Sequence, residues 1–437
     1  MINNATGMWT ASNYGGTANY CSGIPGEIFI SNQDRNILRL LAEEVQILSA
    51  EPIQKEKQKL WYSHNKLISK RPLVFADPEN GWNEIITEDQ IKCKGNLARR
   101  WEVVLRKEIF WGKHIKDDKP IDPVFNIGYT FHESDWGIPE IFHGGEKGGS
   151  YIWEAPVKSF KDFQKIHFPK IIVDYHASDE TLSLADYIFS DYLKVNRKGI
   201  WWWGLIRTWD LVRLVGLEQM MILMYDNPEL IHSLMKLLSD GTLDRLKFLQ
   251  ENNLLTLNND GTYIGSGGLG YTRELPKNDF DNKKVKTSDM WGFSESQETV
   301  SISPCMFEDF IFQYQLPVLK QFGLNYYGCC EPLERKWNII KNIPNLRRVS
   351  VSSWADYKKM AEFLKDQYIY CFKPSPTGLS VANMDKDSER NKIRKILNIT
   401  KGCVLDILMH DNHSLGGNPD NIIQWVKIVK EEIDKIY

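Results

Sequence analysis

The clearest periodicity lies in the C-terminal half of the chain. Short apolar runs of four to six residues alternate with amphipathic stretches of ten or more. Side chains alternate across a strand and recur every three to four residues on a helix. On that basis Asn325–Glu331, Arg348–Ser352, Tyr368–Phe372 and Val404–Met409 are predicted strands. Met306–Phe322, Arg335–Lys341, Ala355–Lys365, Asp387–Leu397 and Asp420–Lys435 are predicted helices. Upstream, residues 31–70 and 93–115 carry helical spacing, with Arg71–Phe75 a short strand between them. Pro123–Phe131, Gly199–Ile206, Leu254–Asn258 and Val300–Ser303 are further strand candidates. Ser178–Val195 is a helix with Ser178 as its N-cap, and Trp209–Asn252 is two helices broken at Asn227-Pro228. Residues 1–30 are rich in Gly, Asn, Ser and Thr and form an arm that packs through Trp9 and Tyr14.

Strands followed by helices predict parallel βα units. Their number favours a closed (β/α)₈ TIM barrel over an open doubly wound sheet. The division is an N-terminal arm and helical cap over 1–120, and a barrel over 121–437. The Gly-rich run Gly265-Ser266-Gly267-Gly268-Leu269-Gly270 has no helix after it. It therefore reads as a lid and not as a phosphate cradle.

Composition narrows the class. The chain has 437 residues, 42% of them hydrophobic, and a net charge of −3, which suits a globular protein and gives nucleic acid no concentrated basic face. No apolar run is long enough to span a bilayer. The first residues lack the pattern of a secretory signal. Seven scattered cysteines point to free thiols in a reducing, cytoplasmic setting.

In a parallel barrel, chemistry gathers at the carboxyl ends of strands. That rule selects Asp260, Glu295–Glu298, Cys329-Cys330-Glu331, Lys373 and His410–His413. Strict alternation would put Tyr327, Cys329 and Glu331 on one face. Thiolate, carboxylate and imidazole are the ligands of zinc, and a catalytic zinc keeps an open position. Cys329 with His413 from the last strand is the core of such a site, with Cys330 or Glu331 as the third ligand. Otherwise Glu331 and Asp260 are the catalytic carboxylates. Tyr327, Glu298 and Lys373 are substrate contacts, Lys373 through a carboxylate. His410 falls out of phase with His413 and belongs behind the ligands. His132 and His143 match no metal spacing and read as loop residues. No Gly-x-Ser-x-Gly elbow supports a serine hydrolase.

Several segments resemble the uroporphyrinogen decarboxylase superfamily, in its branch of zinc-dependent, corrinoid-linked methyltransferases. Ser301-Ile302-Ser303-Pro304-Cys305-Met306-Phe307-Glu308-Asp309-Phe310 is similar to that family's SP-x-x-F-x-x-F segment. Tyr327-Gly328-Cys329 stands in the place of a His-x-Cys zinc motif. Lys373-Pro374-Ser375-Pro376 and the run from His413 to Ile422 resemble its last two motifs. The resemblance spans roughly residues 170–437. Tyr327 stands where that family has its first histidine, and His413 where it has a late cysteine. The resemblance implies a (β/α)₈ barrel and a zinc ion. It also implies methyl transfer between a small molecule and a corrinoid (cobalamin) carried by a partner protein. Trp201–Trp203, Trp291 and Tyr263 would line the mouth that receives the corrinoid. The alternatives are a metal-free decarboxylase-like lyase acting on a small carboxylate, and a non-catalytic subunit of a corrinoid complex.

Overall fold

The computed structural model describes residues 28–139, 141–144, 151–200 and 202–437, together with the backbone of Tyr20–Cys21. Trp9 and Tyr14, and with them most of the predicted arm, lie outside the described residues, as does Trp201.

Eight short strands run parallel to their neighbours: β1 (Leu73–Ala76), β2 (Val124–Ile127), β3 (Lys194–Arg197), β4 (Trp291–Ser294), β5 (Leu324–Tyr327), β6 (Leu346–Val351), β7 (Ile369–Phe372) and β8 (Val404–Met409). Six form one sheet in the order β1-β8-β7-β6-β5-β4, and β2 and β3 join Tyr20–Cys21 in a second. β1, from the segment expected to cap a barrel, is thus an edge strand of the main sheet, paired with β8 from Leu73↔Asp406 to Ala76↔Met409.

The hydrogen-bonded ladder does not run unbroken around all eight strands. Irregular segments satisfy the two edges of the six-stranded sheet with side chains. Beside β1, the Val74 and Ala76 amides donate to the buried carboxylates of Asp118 and Asp117, both at 2.8 Å. Beside β4, the Asn258 amide group accepts from Trp291 N at 2.9 Å and donates to Trp291 O at 3.0 Å. Leu254–Asn258, expected as a strand, is this irregular segment. These side chains satisfy edge groups that a neighbouring strand would otherwise pair.

The predicted helices are found at the N-terminus and along the C-terminal half, for example Asn32–Ala50, Pro52–Asn65, Asn96–Phe110, Lys386–Ile399 and Asp420–Asp434. Three expectations are corrected. The helix expected from Ser178 starts at Tyr175, because Asp174 is the N-cap and accepts from Ala177 N at 2.9 Å. The Ser178 hydroxyl instead bonds back to Asp174 O at 2.6 Å. Residues 202–206, in the stretch expected as a strand from Gly199, form no strand; the strand precedes them, at β3. The strand expected at Val300–Ser303 is β4, Trp291–Ser294.

The Gly-rich run is not a lid. Residues 262–272 are buried and pack across one face of the six-stranded sheet. Tyr263 meets Phe75 of β1 at a ring separation of 6.0 Å. A Cβ on Gly265 would lie 2.2 Å from Phe293 of β4. One on Gly267 would lie 2.0 Å from Leu408 of β8, and one on Gly268 2.7 Å from the Arg348 guanidinium of β6. The loop can reach the sheet only because these positions carry no side chain and adopt positive φ.

Candidate active site at the strand ends

β5 ends at Tyr327 because Gly328 takes φ +94 and breaks the alternation. The expected common face for Tyr327, Cys329 and Glu331 does not form. Tyr327 is fully buried with its hydroxyl on Gln315 Oε1 at 2.7 Å. Glu331 is also fully buried, and its carboxylate accepts from Cys329 N and Ser296 N, both at 2.8 Å. It fixes the loops after β4 and β5. The Cys329 thiol turns the other way.

Cys329 Sγ lies 3.4 Å from Cys330 Sγ and accepts from the Ser266 hydroxyl at 3.0 Å. Ser266 comes from the buried Gly-rich loop and also accepts from the Lys373 ammonium, just past β7. Cys330 Sγ donates to Asp411 Oδ2 at 3.1 Å. Asp411 follows β8 and takes φ +59, a left-handed turn that Asp tolerates better than most residues. It pairs with His410 Nδ1 at 3.2 Å, and His410 Nδ1 lies 3.4 Å from Glu79 Oε1 just past β1. Ligand atoms of Glu79, His410 and Asp411 all lie within 4.8 Å of one another. Four strand ends thus feed one cluster. Cys329 and His410 are 4% exposed, whereas the Glu79 and Asp411 side chains are 42% and 41% exposed, so solvent reaches the carboxylates and not the inner thiol.

Electrostatics bind the cluster together. The hydrogen bond from Cys330 lowers the Cys329 thiol against the opposing effect of burial, and Lys373 and His410 add to it. Cys330 is raised in consequence, first by that bond to Cys329 and then by burial. Burial works against the charge on Lys373, yet the neighbouring thiols and Asp411 hold it above its ordinary value. Burial likewise opposes the charge on His410, but Asp411 raises it to about 10. Asp411 is lowered, because His410 outweighs its own desolvation. The result is a chain of ammonium, carboxylate and imidazolium beside a thiol whose ionised form is favoured.

The remaining predicted residues fall elsewhere. His413 is exposed, with Nδ1 3.3 Å from the Asn80 amide, and has no contact with the cysteines. Asp260 accepts from Lys198 Nζ at 2.7 Å and lines a polar cavity of about 690 Å³ with Glu108, Lys119 and Asn126. Glu298 accepts from the Thr208 hydroxyl at 2.5 Å and is raised by burial. Glu295 beside it is fully buried and raised well above the usual carboxylate range by burial and by the charges of Glu298 and Glu331. His132 and His143 sit on strands of two separate antiparallel pairs, 130–133 with 171–174 and 141–144 with 151–154, and not in loops. The site residues that sequence reasoning missed or set aside are His410, Asp411, Glu79 and Ser266. His410 and Asp411 lie within the 410–413 segment that the strand-end rule selects but take no ligand role there, and Glu79 obeys the same rule applied to β1. Nothing in the sequence signals Ser266.

The six cysteines whose side chains are described are free. Among the described residues no helix is long and apolar enough to cross a membrane.

No protein-family model matches the chain, and no curated protein matches it. One solved structure that it matches is a methyltransferase from Methanosarcina mazei. Identity is 11%, the TM-score is 0.35, and the match covers 62% of this chain and 74% of that one. A likeness at this level carries nothing over to this chain.

Proposed function

We propose that the chain is a metal-activated methyltransferase. In this reading the two parallel sheets, with the segments at 117–118 and 254–258, make up one (β/α)₈ barrel, and the methyl group passes between a small molecule and a corrinoid carried by a partner protein. The observation that supports it is the donor set at the strand ends, two thiols 3.4 Å apart with a carboxylate oxygen 3.1 Å from the second. Two sulfur ligands of a tetrahedral zinc ion, at Zn–S ~2.3 Å, sit about 3.8 Å apart. The spacing therefore fits with only small adjustment, and His410 beside Asp411 offers an imidazole. Cys329, Cys330 and Asp411 would hold the ion, with His410 or Glu79 completing the set.

When bound, zinc would supply Lewis acidity at a methyl-bearing heteroatom or hold a thiolate in its reactive form. The chain's own residues do the rest. Ser266 and Lys373 aim Cys329 and balance its charge. Glu331 clamps the loop that carries both thiols. Glu79 and Asp411 keep one side of the cluster open to solvent.

The test is metal content by mass spectrometry on the purified chain and four variants, with methyl transfer to free cobalamin followed by its visible spectrum. We expect about one zinc per chain, lost in Cys329→Ser and Cys330→Ser, reduced in Asp411→Asn and retained in His413→Ala. Full zinc in both cysteine variants would overturn the metal assignment. Full zinc without methyl transfer would favour the non-catalytic subunit.

A further inference from the structure

Among the described residues one pair of thiols is in sulfur–sulfur contact, Cys329 and Cys330 at 3.4 Å. The others stand apart. Cys93 and Cys403 are buried against backbone carbonyls, Cys371 is buried against the Tyr326 hydroxyl, and Cys305 is exposed.

The two sulfurs of the pair are placed asymmetrically. Cys329 is the inner one. The Ser266 hydroxyl stands behind it at 3.0 Å, its amide is held on Glu331 Oε2 at 2.8 Å, and its carbonyl accepts from Lys373 Nζ at 3.4 Å. Cys330 is the outer one. It is partly exposed, and its thiol donates to Asp411 Oδ2 at 3.1 Å. The Asp411 side chain is itself 41% exposed, so a proton that it accepts can pass on to water. A reachable thiol with a proton acceptor on one side and a second thiol behind it is the arrangement of a redox-sensing cysteine and its resolving partner.

The backbone limits the product to a reversible one. Adjacent Cα atoms are about 3.80 Å apart, whereas ordinary disulfides span about 4.4–6.8 Å. A bond between neighbours therefore closes a small strained ring, which external thiols reopen readily. Strain also opposes closure. What offsets it here is that the sulfurs already touch, at 3.4 Å against about 2.05 Å in the bond.

We propose that Cys329 and Cys330 form a reversible two-electron redox site whose oxidant is a hydroperoxide. Cys330 Sγ attacks one peroxide oxygen while its proton passes to Asp411. The O–O bond breaks, and the departing oxygen takes up that proton and leaves as an alcohol, or as water when the oxidant is hydrogen peroxide. Cys330 is then a sulfenic acid, oxidised by the two electrons that reduce the peroxide. Cys329 Sγ next attacks Cys330 Sγ. The S–O bond breaks, and hydroxide leaves as water with the Cys329 proton. The sum is two thiols and one hydroperoxide giving one disulfide, one alcohol and one water. An external dithiol reverses it by exchange and is itself oxidised to a disulfide. That oxidation also removes two metal ligands rests on the reading above; formation of the disulfide does not.

The test is peptide mass spectrometry of the full chain, freed of metal with a chelator, treated with one equivalent of hydrogen peroxide and alkylated under unfolding conditions. The peptide holding Cys329 and Cys330 should come out two hydrogens lighter and unalkylated, and dithiothreitol should restore both alkylation sites. Cys93, Cys371 and Cys403 should be alkylated throughout. In Cys329→Ser the reaction should stop at the sulfenic acid on Cys330, trapped by dimedone, and wild-type protein should retain no such adduct. In Cys330→Ser oxidation of Cys329 should slow by about tenfold or more, because the remaining thiol is buried. Unreacted thiols or sulfinic acid at the pair in wild-type protein, a disulfide to any other cysteine, or an undiminished rate in Cys330→Ser would overturn the proposal. The wild-type masses decide it alone where a variant does not fold. A disulfide in a chain that never holds zinc sinks only the metal assignment. Zinc in a chain whose paired thiols resist peroxide sinks only the redox site.

Discussion

In Gly265→Ala the new methyl group would sit 2.2 Å from Phe293 Cδ2, 2.4 Å from Phe293 Cγ and 2.7 Å from Tyr326 Cδ1. Neither ring can swing away. Phe293 is wedged between Trp203 and Tyr326, with ring separations of 5.1 and 4.9 Å. The Tyr326 hydroxyl is tied to Ser350 Oγ at 2.8 Å and to Ser266 O at 3.2 Å. Two costs add. The left-handed backbone, φ +58 here, costs a residue with a Cβ roughly 1–2 kcal/mol. Forcing a methyl into a packed interior costs typically about 1–3 kcal/mol more. The expected loss is therefore about 2–5 kcal/mol. Gly417→Ala is the internal control, because Gly417 has φ +71 and open space where its Cβ would go. It should lose only the backbone part, roughly 1–2 kcal/mol. Urea unfolding of the two variants beside wild type, read as midpoint shifts at constant slope, measures both. Because Ser266 is the next residue, Gly265→Ala should also raise the rate at which Cys329 reacts with a thiol reagent. Equal destabilisation of the two variants, to within about 0.5 kcal/mol, would refute the claim that the loop is packed and not merely placed.

Two further outcomes follow from buried charge. Arg348 and Asp406 are both fully buried and paired, and His64 Nε2 lies 3.0 Å from the same Asp406 oxygen. Arg348→Met alone should cost about 3–5 kcal/mol in urea unfolding, and Arg348→Met with Asp406→Leu less than the single change; a double variant worse than the single would contradict this. Burial would raise Glu432, but Arg394, Lys435 and Arg390 outweigh it and hold it at about 2. Its contribution is present above the ordinary carboxylate value and is lost as pH falls towards 2. Glu432→Gln should lose about 1–3 kcal/mol at pH 7, discounted for half-exposed partners, and its thermal melts should approach those of wild type progressively as pH falls from 4.5 to about 2. A gap independent of pH would show that the ion pairs are not its source.

The elements that were legible are those whose period is set by a core on one side. Asn32–Ala50 buries Leu38, Ala42, Val45 and Leu48 at helical spacing, and β6 to β8 are apolar runs bounded by turn residues. β4 was misplaced because Trp-Gly-Phe-Ser is buried at all four positions and shows no alternation. The burial of the Gly-rich loop was illegible for the opposite reason. Its glycines answer to neighbours on four strands far away in sequence, and composition alone cannot distinguish such a segment from a solvent-exposed lid. At the site, the cysteine pair was legible from its place at a strand end. Its partners were not, because the expectation followed strict alternation. Gly328 and Asp411, both at positive φ, turn the chain where alternation would have continued. Tyr327 is therefore carried to Gln315, and the acid after β8 reaches the thiols while His413 does not.

A protein engineer seeking a place for a tag or a fused domain would be drawn to Gly265–Gly270, the most linker-like run in the C-terminal two thirds of the chain. That choice would strike the middle of the molecule. The run meets Asn65 of the N-terminal helices, made long before it, and β4, β5, β6 and β8, made after it, so neither set can settle around a segment of altered length. Tolerance to insertion should instead be sought at Gly402 and Gly417, where the space beside the backbone is open.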